Sequence, residues 1–167
     1  SNSGVVSTDV SGVGTARNNL GAAAYGTDKA VFAYGYGSNY TAVKNLVSNL
    51  GVVAADVSGV GTARSDLSAA GYGSDKAIFA YGAGSAGNLS MSNLVNSSGV
   101  IGADVTGVGG DRYGRASASY GGDKALFAYG AVISIKNLVN NSGVIAANVT
   151  GVGTARANPA ACEYAVS

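Results

Sequence analysis

Histidine is missing from the whole of this 167-residue chain. That absence excludes the common zinc sites, histidine acid–base catalysis and Ser-His-Asp triads. A single Cys162 cannot close an internal disulfide and points to no particular redox compartment. Charge is scarce as well: 11% of residues carry it, and the net charge is +1. Without a basic stripe to neutralise phosphates, nucleic acid is not an expected partner. No run of about 18 apolar residues occurs, so membrane insertion is not expected either. The chain opens at Ser1 with no secretory signal pattern, which reads as a processed or expressed product or as a piece of something longer. There is no Trp, one Pro and only 3 Phe, and the apolar 47% is mostly Ala and Val. Side chains that small need close backbone packing to exclude water. The 10 Tyr supply most of the aromatic bulk, and their hydroxyls need a partner or a wet edge.

Repetition is what the chain has instead. Gly12-Val13-Gly14-Thr15-Ala16-Arg17 returns unchanged at Gly59–Arg64 and Gly151–Arg156, and altered at Gly107–Arg112. The arginines stand at 17, 64, 112 and 156, so successive copies are 47, 48 and 44 residues apart. A fixed period of this size signals a stacked-repeat architecture. The units run 17–63, 64–111 and 112–155, with partial units at 1–16 and 156–167. We refer to the three full units as copies one, two and three.

Copy two shows the local pattern. Arg64–Gly73 is a small-residue strand ending in a Gly turn, and Ser74-Asp75 makes that turn. Lys76-Ala77-Ile78-Phe79-Ala80-Tyr81-Gly82 is an apolar run with β-branched and aromatic residues, which predicts a buried second strand. The loop Ala83–Gly87 leads to a third strand ending at Leu94-Val95, and Val100–Val105 predicts a fourth. Apolar spacing of helical period is absent. The expectation is all-β: four-stranded antiparallel propeller blades of about 47 residues, about 3.5 per chain. A β-solenoid is the main competitor. By this count Gly4–Val10 is a fourth-type strand and Arg156–Tyr164 a first-type strand. Three and a half repeats cannot close a propeller, so a ring completed by a second copy, with seven repeat lengths, or by the remainder of a longer chain is expected.

The order of residues in the repeat resembles the kelch blade: an Arg before a small-residue strand, Lys-Ala-Ile-Phe-Ala-Tyr-Gly, a loop, Asn-Leu-Val, then Gly-Val-Ile. Kelch repeats have a glycine pair closing the second strand, an aromatic in the third and a Trp in the fourth. Here Tyr34-Gly35-Tyr36-Gly37 and Tyr81-Gly82-Ala83-Gly84 put Gly-x-Gly at the first place. Asn45-Leu46, Asn93-Leu94 and Asn137-Leu138 stand at the second, and the Trp is missing. The wording of the repeat is also similar to kelch-like arrays in bacteriophage structural proteins and related environmental bacterial proteins. The resemblance implies a β-propeller and a virion or extracellular setting, such as a tail or fibre appendage touching the host surface.

Thirteen of the charged residues recur at fixed places: Arg17, Arg64, Arg112 and Arg156; Lys29, Lys76 and Lys124; Asp28, Asp75 and Asp123; Asp9, Asp56 and Asp104. One reading makes them pockets, one per blade, for a sugar or carboxylate. The favoured reading is a structural network in which each Arg bridges strands or blades through charge-assisted bonds. Gly-Val-Gly-Thr-Ala-Arg lacks the third Gly, the Lys-Ser/Thr and the following helix of a phosphate loop, and reads as a tight crossing between blades. Binding is expected on loops that break the repeat. Tyr36, Asn39 and Tyr40 form a candidate sugar platform, and Tyr34, Tyr81 and Tyr129 flank the same loop facing a ligand. Lys44 and Lys136 are expected to face solvent. No catalytic residue, metal site or cofactor is expected, because no carboxylate pair stands out and Cys162-Glu163 has no His to activate the thiol. The functional expectation is a non-enzymatic scaffold or binding module that self-associates, with a surface glycan as ligand. Alternatives are a soluble lectin with per-blade pockets and a synthetic repeat protein without a natural ligand.

Overall fold

The computed structural model describes residues 8–163. Among them all regular structure is β. Copy one contributes β1 (Gly21–Tyr25), β2 (Lys29–Ala33) and β3 (Lys44–Val47). Copy two contributes β4 (Ser68–Tyr72), β5 (Lys76–Ala80), the short pair β6 (Ala83–Gly84) and β7 (Gly87–Asn88), and β8 (Ser92–Val95). Copy three contributes β9 (Ala116–Tyr120), β10 (Lys124–Ala128) and β11 (Lys136–Val139). Each copy folds as a three-stranded antiparallel meander with its second strand in the middle. No helix among the described residues is long and apolar enough to cross a membrane.

The expected fourth strand is present only as isolated pairings, and a bulge is the reason. Ser92 bridges Val105 and Val95 bridges Ile101, so three residue steps on β8 face four on the returning segment. Copies one and three repeat this mismatch, with Lys44 to Val57 and Val47 to Val53, then Lys136 to Val149 and Val139 to Ile145. One extra residue per copy interrupts the ladder and bends the segment. The terminal strands counted from the sequence also differ. Residues 8–10 form no strand, and Gly4–Ser7 lie outside the described residues. Arg156 makes one bridge to Ile133, and 157–163 form no strand, because a first-type strand pairs with a second-type strand of its own copy.

The sheets stack in chain order. Contact between neighbours is carried by the first strands, β1 on β4 and β4 on β9, with β1 also touching β5 and β4 touching β10. The alternation of each strand makes this possible. Val31 and Ala33 of one face meet Ala77, Phe79 and Val95 of the next sheet in one core. Ile78 and Ala80 meet Ala125, Phe127 and Val139 in a second core. Ala and Gly on the first strands let the backbones approach, and Ser117 and Ser119 hydroxyls donate to the Ala69 and Gly71 carbonyls across that gap, at 2.7 and 3.0 Å.

The residue that follows each second strand adopts an unusual backbone. Tyr34, Tyr81 and Tyr129 have φ of 65°, 64° and 58°. A bulky side chain in the left-handed region is strained and persists only where surroundings hold it. The same conformation in every copy marks the Tyr as a designed part of the junction.

Candidate functional site

Each junction is built around the repeated Arg. Arg64 is fully buried, and its guanidinium lies 4.1 Å from the Tyr34 ring centre of the preceding copy. It donates to Asn93 Oδ1 at 2.7 Å and to the Thr62 carbonyl at 3.1 Å. Its own carbonyl accepts the Gly35 N–H. Tyr34 is held from three sides: Arg64 over its face, Phe79 edge-on at 5.5 Å, and its hydroxyl donating to the Val60 carbonyl. Burial pushes the Tyr34 hydroxyl upward in pKa, so it stays protonated and remains a donor.

The bulge supplies the rest of the cluster. Asn93 Nδ2 donates to the Gly102 carbonyl, left free where the ladder breaks, and to Asp104 Oδ1 at 2.9 Å. Asp104 accepts both the N–H and the hydroxyl of Thr62. Asn45, Asp56, Thr15 and Arg17 repeat the arrangement in copy one. Thr-Ala-Arg thus places a Thr on the carboxylate and an Arg on the Asn. The preceding glycines are required by space: a Cβ on Gly59 would collide with the Ala42 carbonyl, and Gly61 (φ 88°) sits against the Asp104 carboxylate. The invariant Asn was read from the sequence only as a departure from the kelch pattern. Its presence before Leu-Val in all copies was the available signal of its role.

Asp9 is exposed and lies outside these clusters. The second Asp series does different work. Asp28, Asp75 and Asp123 pair with the adjacent Lys29, Lys76 and Lys124 at 2.6–2.8 Å on the surface of the first turn. Exposed pairs of this kind add little stability. Lys44, expected to face solvent, instead donates to the Gly99 carbonyl of copy two at 2.9 Å, and burial lowers its pKa.

Copy three departs. Asn148 stands where copies one and two have Asp56 and Asp104, and Arg115 stands where they have Leu20 and Leu67. Arg115 has moved into the place above Tyr81, 3.9 Å from the ring centre, and Arg112 sits 5.7 Å away. Both guanidiniums bond the same Asn137 Oδ1 at 3.1 Å. Arg112 Nη1 and Arg115 Nε and Nη2 are buried without partners among the described residues, against Nε alone for Arg64. Burial pulls the Arg115 pKa down to about 10. Arg156 lies 4.5 Å from the Tyr129 ring centre but is itself exposed.

The expected ligand-facing tyrosines divide sharply. Tyr34 and Tyr81 are 0% exposed and cannot meet a ligand, because their left-handed backbone turns them into the junction. Tyr129 is half-buried, donating to the Val152 carbonyl. Tyr36 and Tyr40 do come together, with ring centres 5.1 Å apart and planes at 74°. Asn39 and Tyr40 line a cleft of about 320 Å³ with Thr15, Arg17 and Thr41. Tyr36 stands exposed beside it. Copy two replaces this loop by the β6–β7 hairpin, which carries no aromatic.

No protein-family model matches the chain, and no curated protein matches it.

The carboxylate of Asp104 predicts an acid dependence. Burial works against its ionisation, but hydrogen bonds from Thr62 and Asn93, with the Arg64 charge, win and hold its pKa below the usual Asp value. The folded state therefore binds this proton less tightly than the unfolded chain. Its contribution is complete above the unfolded Asp pKa of about 3.9 and is lost as pH falls through the lower folded value. Melting curves at descending pH should show wild type losing stability in that window. Asp104→Asn should show a smaller loss there; an identical acid profile would remove Asp104 from the account.

Proposed function

We propose that the protein is a non-catalytic binding scaffold of β-propeller type. Each meander with its bulged fourth segment is one blade, and the Tyr36–Tyr40 loop is the contact for surface carbohydrate. Sheets that touch through their first strands while their third strands lie at the far edges support the wedge shape of blades. The observation that carries the binding half is a division of labour. The Arg, Asn and Asp of the inner junctions are engaged in holding copies together, whereas the cleft lined by Asn39 and Tyr40, with Tyr36 exposed beside it, sits on a loop that differs between copies. Flat aromatic faces beside an amide suit a sugar ring, whose C–H face stacks while its hydroxyls bond Asn39. A lectin with one pocket per blade fits less well, since Tyr34 and Tyr81 are buried. With the repeat's resemblance to kelch-like arrays of phage structural proteins, the setting we propose is a virion appendage that touches the host surface.

A glycan array tests this reading. Wild type should retain a restricted set of glycans, and Tyr40→Ala should weaken that binding by about tenfold or more, or roughly 1.4 kcal/mol, with an unchanged melting curve. Wild type that binds nothing across a broad array would sink the carbohydrate assignment.

A further inference from the structure

The two ends of the stack are complementary to each other. Within the chain, Phe79 and Phe127 are 0% exposed because Tyr34 and Tyr81 of the preceding copies meet them edge-on at 5.5 Å. The equivalent Phe32 of copy one has no preceding Tyr and is 37% exposed. At the other end Tyr129 has no following Phe. A second pair of features follows the same rule. Gly99 and Gly143 close on the rings of Tyr25 and Tyr72 in the copy before. Gly51, with the same left-handed φ of 77°, has nothing near its Cβ position among the described residues, and Tyr120 is half-buried where Tyr25 and Tyr72 are buried.

The polar groups match as well. Gly26 and Gly73 N–H donate to the Asp75 and Asp123 carbonyls of the following copy, both at 2.7 Å. The equivalent Gly121 N–H and Asp28 carbonyl have no such partner among the described residues. Lys44 reaches the Gly99 carbonyl of copy two; Lys136 occupies the same position in copy three, and Gly51 in copy one occupies the position of Gly99. Apolar, backbone and charged groups at one end thus each lack the partner that the other end carries.

We propose that this face is covered by a second copy of the chain, docked head to tail, with copy three of one protomer against copy one of the next. The contact continues the interface already formed twice within the chain, and it rests on the propeller-type stacking proposed above. One duplication must be resolved. Residues 151–156 occupy the place of the incoming 12–17: Arg156 lies over Tyr129, its carbonyl accepts the Gly130 N–H, it bridges Ile133, and the Val152 carbonyl accepts the Tyr129 hydroxyl. Docking therefore exchanges this segment for the equivalent one of the second copy, which offers the same contacts from an Arg whose exposed side chain here bonds only its own Thr154 carbonyl among the described residues. Two protomers bring three three-stranded sheets each, six in all, rather than the seven repeat lengths counted from the sequence. Six lies within the range of roughly four to eight blades over which propellers close.

A heterologous contact makes a specific demand on variants. Phe32→Glu spoils only the leading face, and Leu126→Glu, at a half-buried position on the trailing face, spoils only the other. Sedimentation and light scattering across the micromolar range should find wild type associated and each variant monomeric at about 16.2 kDa, with melting curves showing both folded. An equimolar mixture should recover a species of two chains, because each variant keeps the face the other needs. A monomeric wild type, a Leu126→Glu variant that still associates alone, or a mixture that stays monomeric would each overturn the proposal. Glycan retention by monomeric Leu126→Glu, measured in parallel, separates failure of the contact from failure of the carbohydrate reading.

Discussion

Arg64→Leu is expected to destabilise the protein by about 3 kcal/mol, within the range for breaking a buried charged network. Nothing in the side chain's polarity recommends its burial. What recommends it is that its ring-facing side and both terminal nitrogens are occupied, by the Tyr34 ring, Asn93 Oδ1 and the Thr62 carbonyl, while Nε alone is buried without a partner among the described residues. Removing it leaves Asn93 Oδ1 buried without a donor and uncovers the face of a Tyr that is already strained at φ 65°. Leucine fills part of the volume but satisfies none of these groups. Urea denaturation gives the check, and an Arg64→Leu midpoint equal to wild type would show that the network is ornamental.

The same substitution at Arg115 is expected to stabilise, by about 2 kcal/mol, as replacing poorly compensated buried charge by a well-packed apolar residue often does. Copies one and two carry Leu20 and Leu67 at this position, so the backbone already accommodates leucine. Arg115 brings a second buried cation beside Arg112, while the carboxylate that serves Arg64 is replaced by Asn148. Two of its nitrogens are buried unpartnered, and burial depresses its pKa to about 10. Removing it relieves that penalty and frees the place over Tyr81 for Arg112. A lower midpoint for Arg115→Leu would mean that the stack on Tyr81 outweighs the burial of charge. The opposite signs expected for one chemical change rest entirely on what surrounds each guanidinium.

Much of this is legible in the amino-acid sequence. Gly-bounded apolar runs located the first three strands of each copy, since a pleated, half-buried ribbon needs alternation and tight turns and nothing else. The network expected of the repeated Arg and Asp is found at Arg17 with Asp56 and at Arg64 with Asp104, whereas Asp9 and Arg156 are exposed and the Asp28 series pairs only with adjacent lysines. The fourth strand was misjudged because a bulge is one residue of excess against a partner, and the excess is invisible until the partner is known. Tyr34 and Tyr81 were misplaced for a similar reason: a residue at the end of a strand beside a loop points outward by default, and only the left-handed φ turns it in. Lys44 found its carbonyl on a residue 55 positions away.

The sequence by itself determined the period, the β character, the exclusion of histidine chemistry and the place where the copies differ, because these depend on composition and on local pattern. The tertiary structure alone decided which repeated residues meet. Asn93 with Asp104, Arg64 with Tyr34 and Phe79 with Tyr34 are pairings across a bulge or between sheets. Their energy comes from burial and from the geometry of donors, neither of which exists until one copy closes against the next.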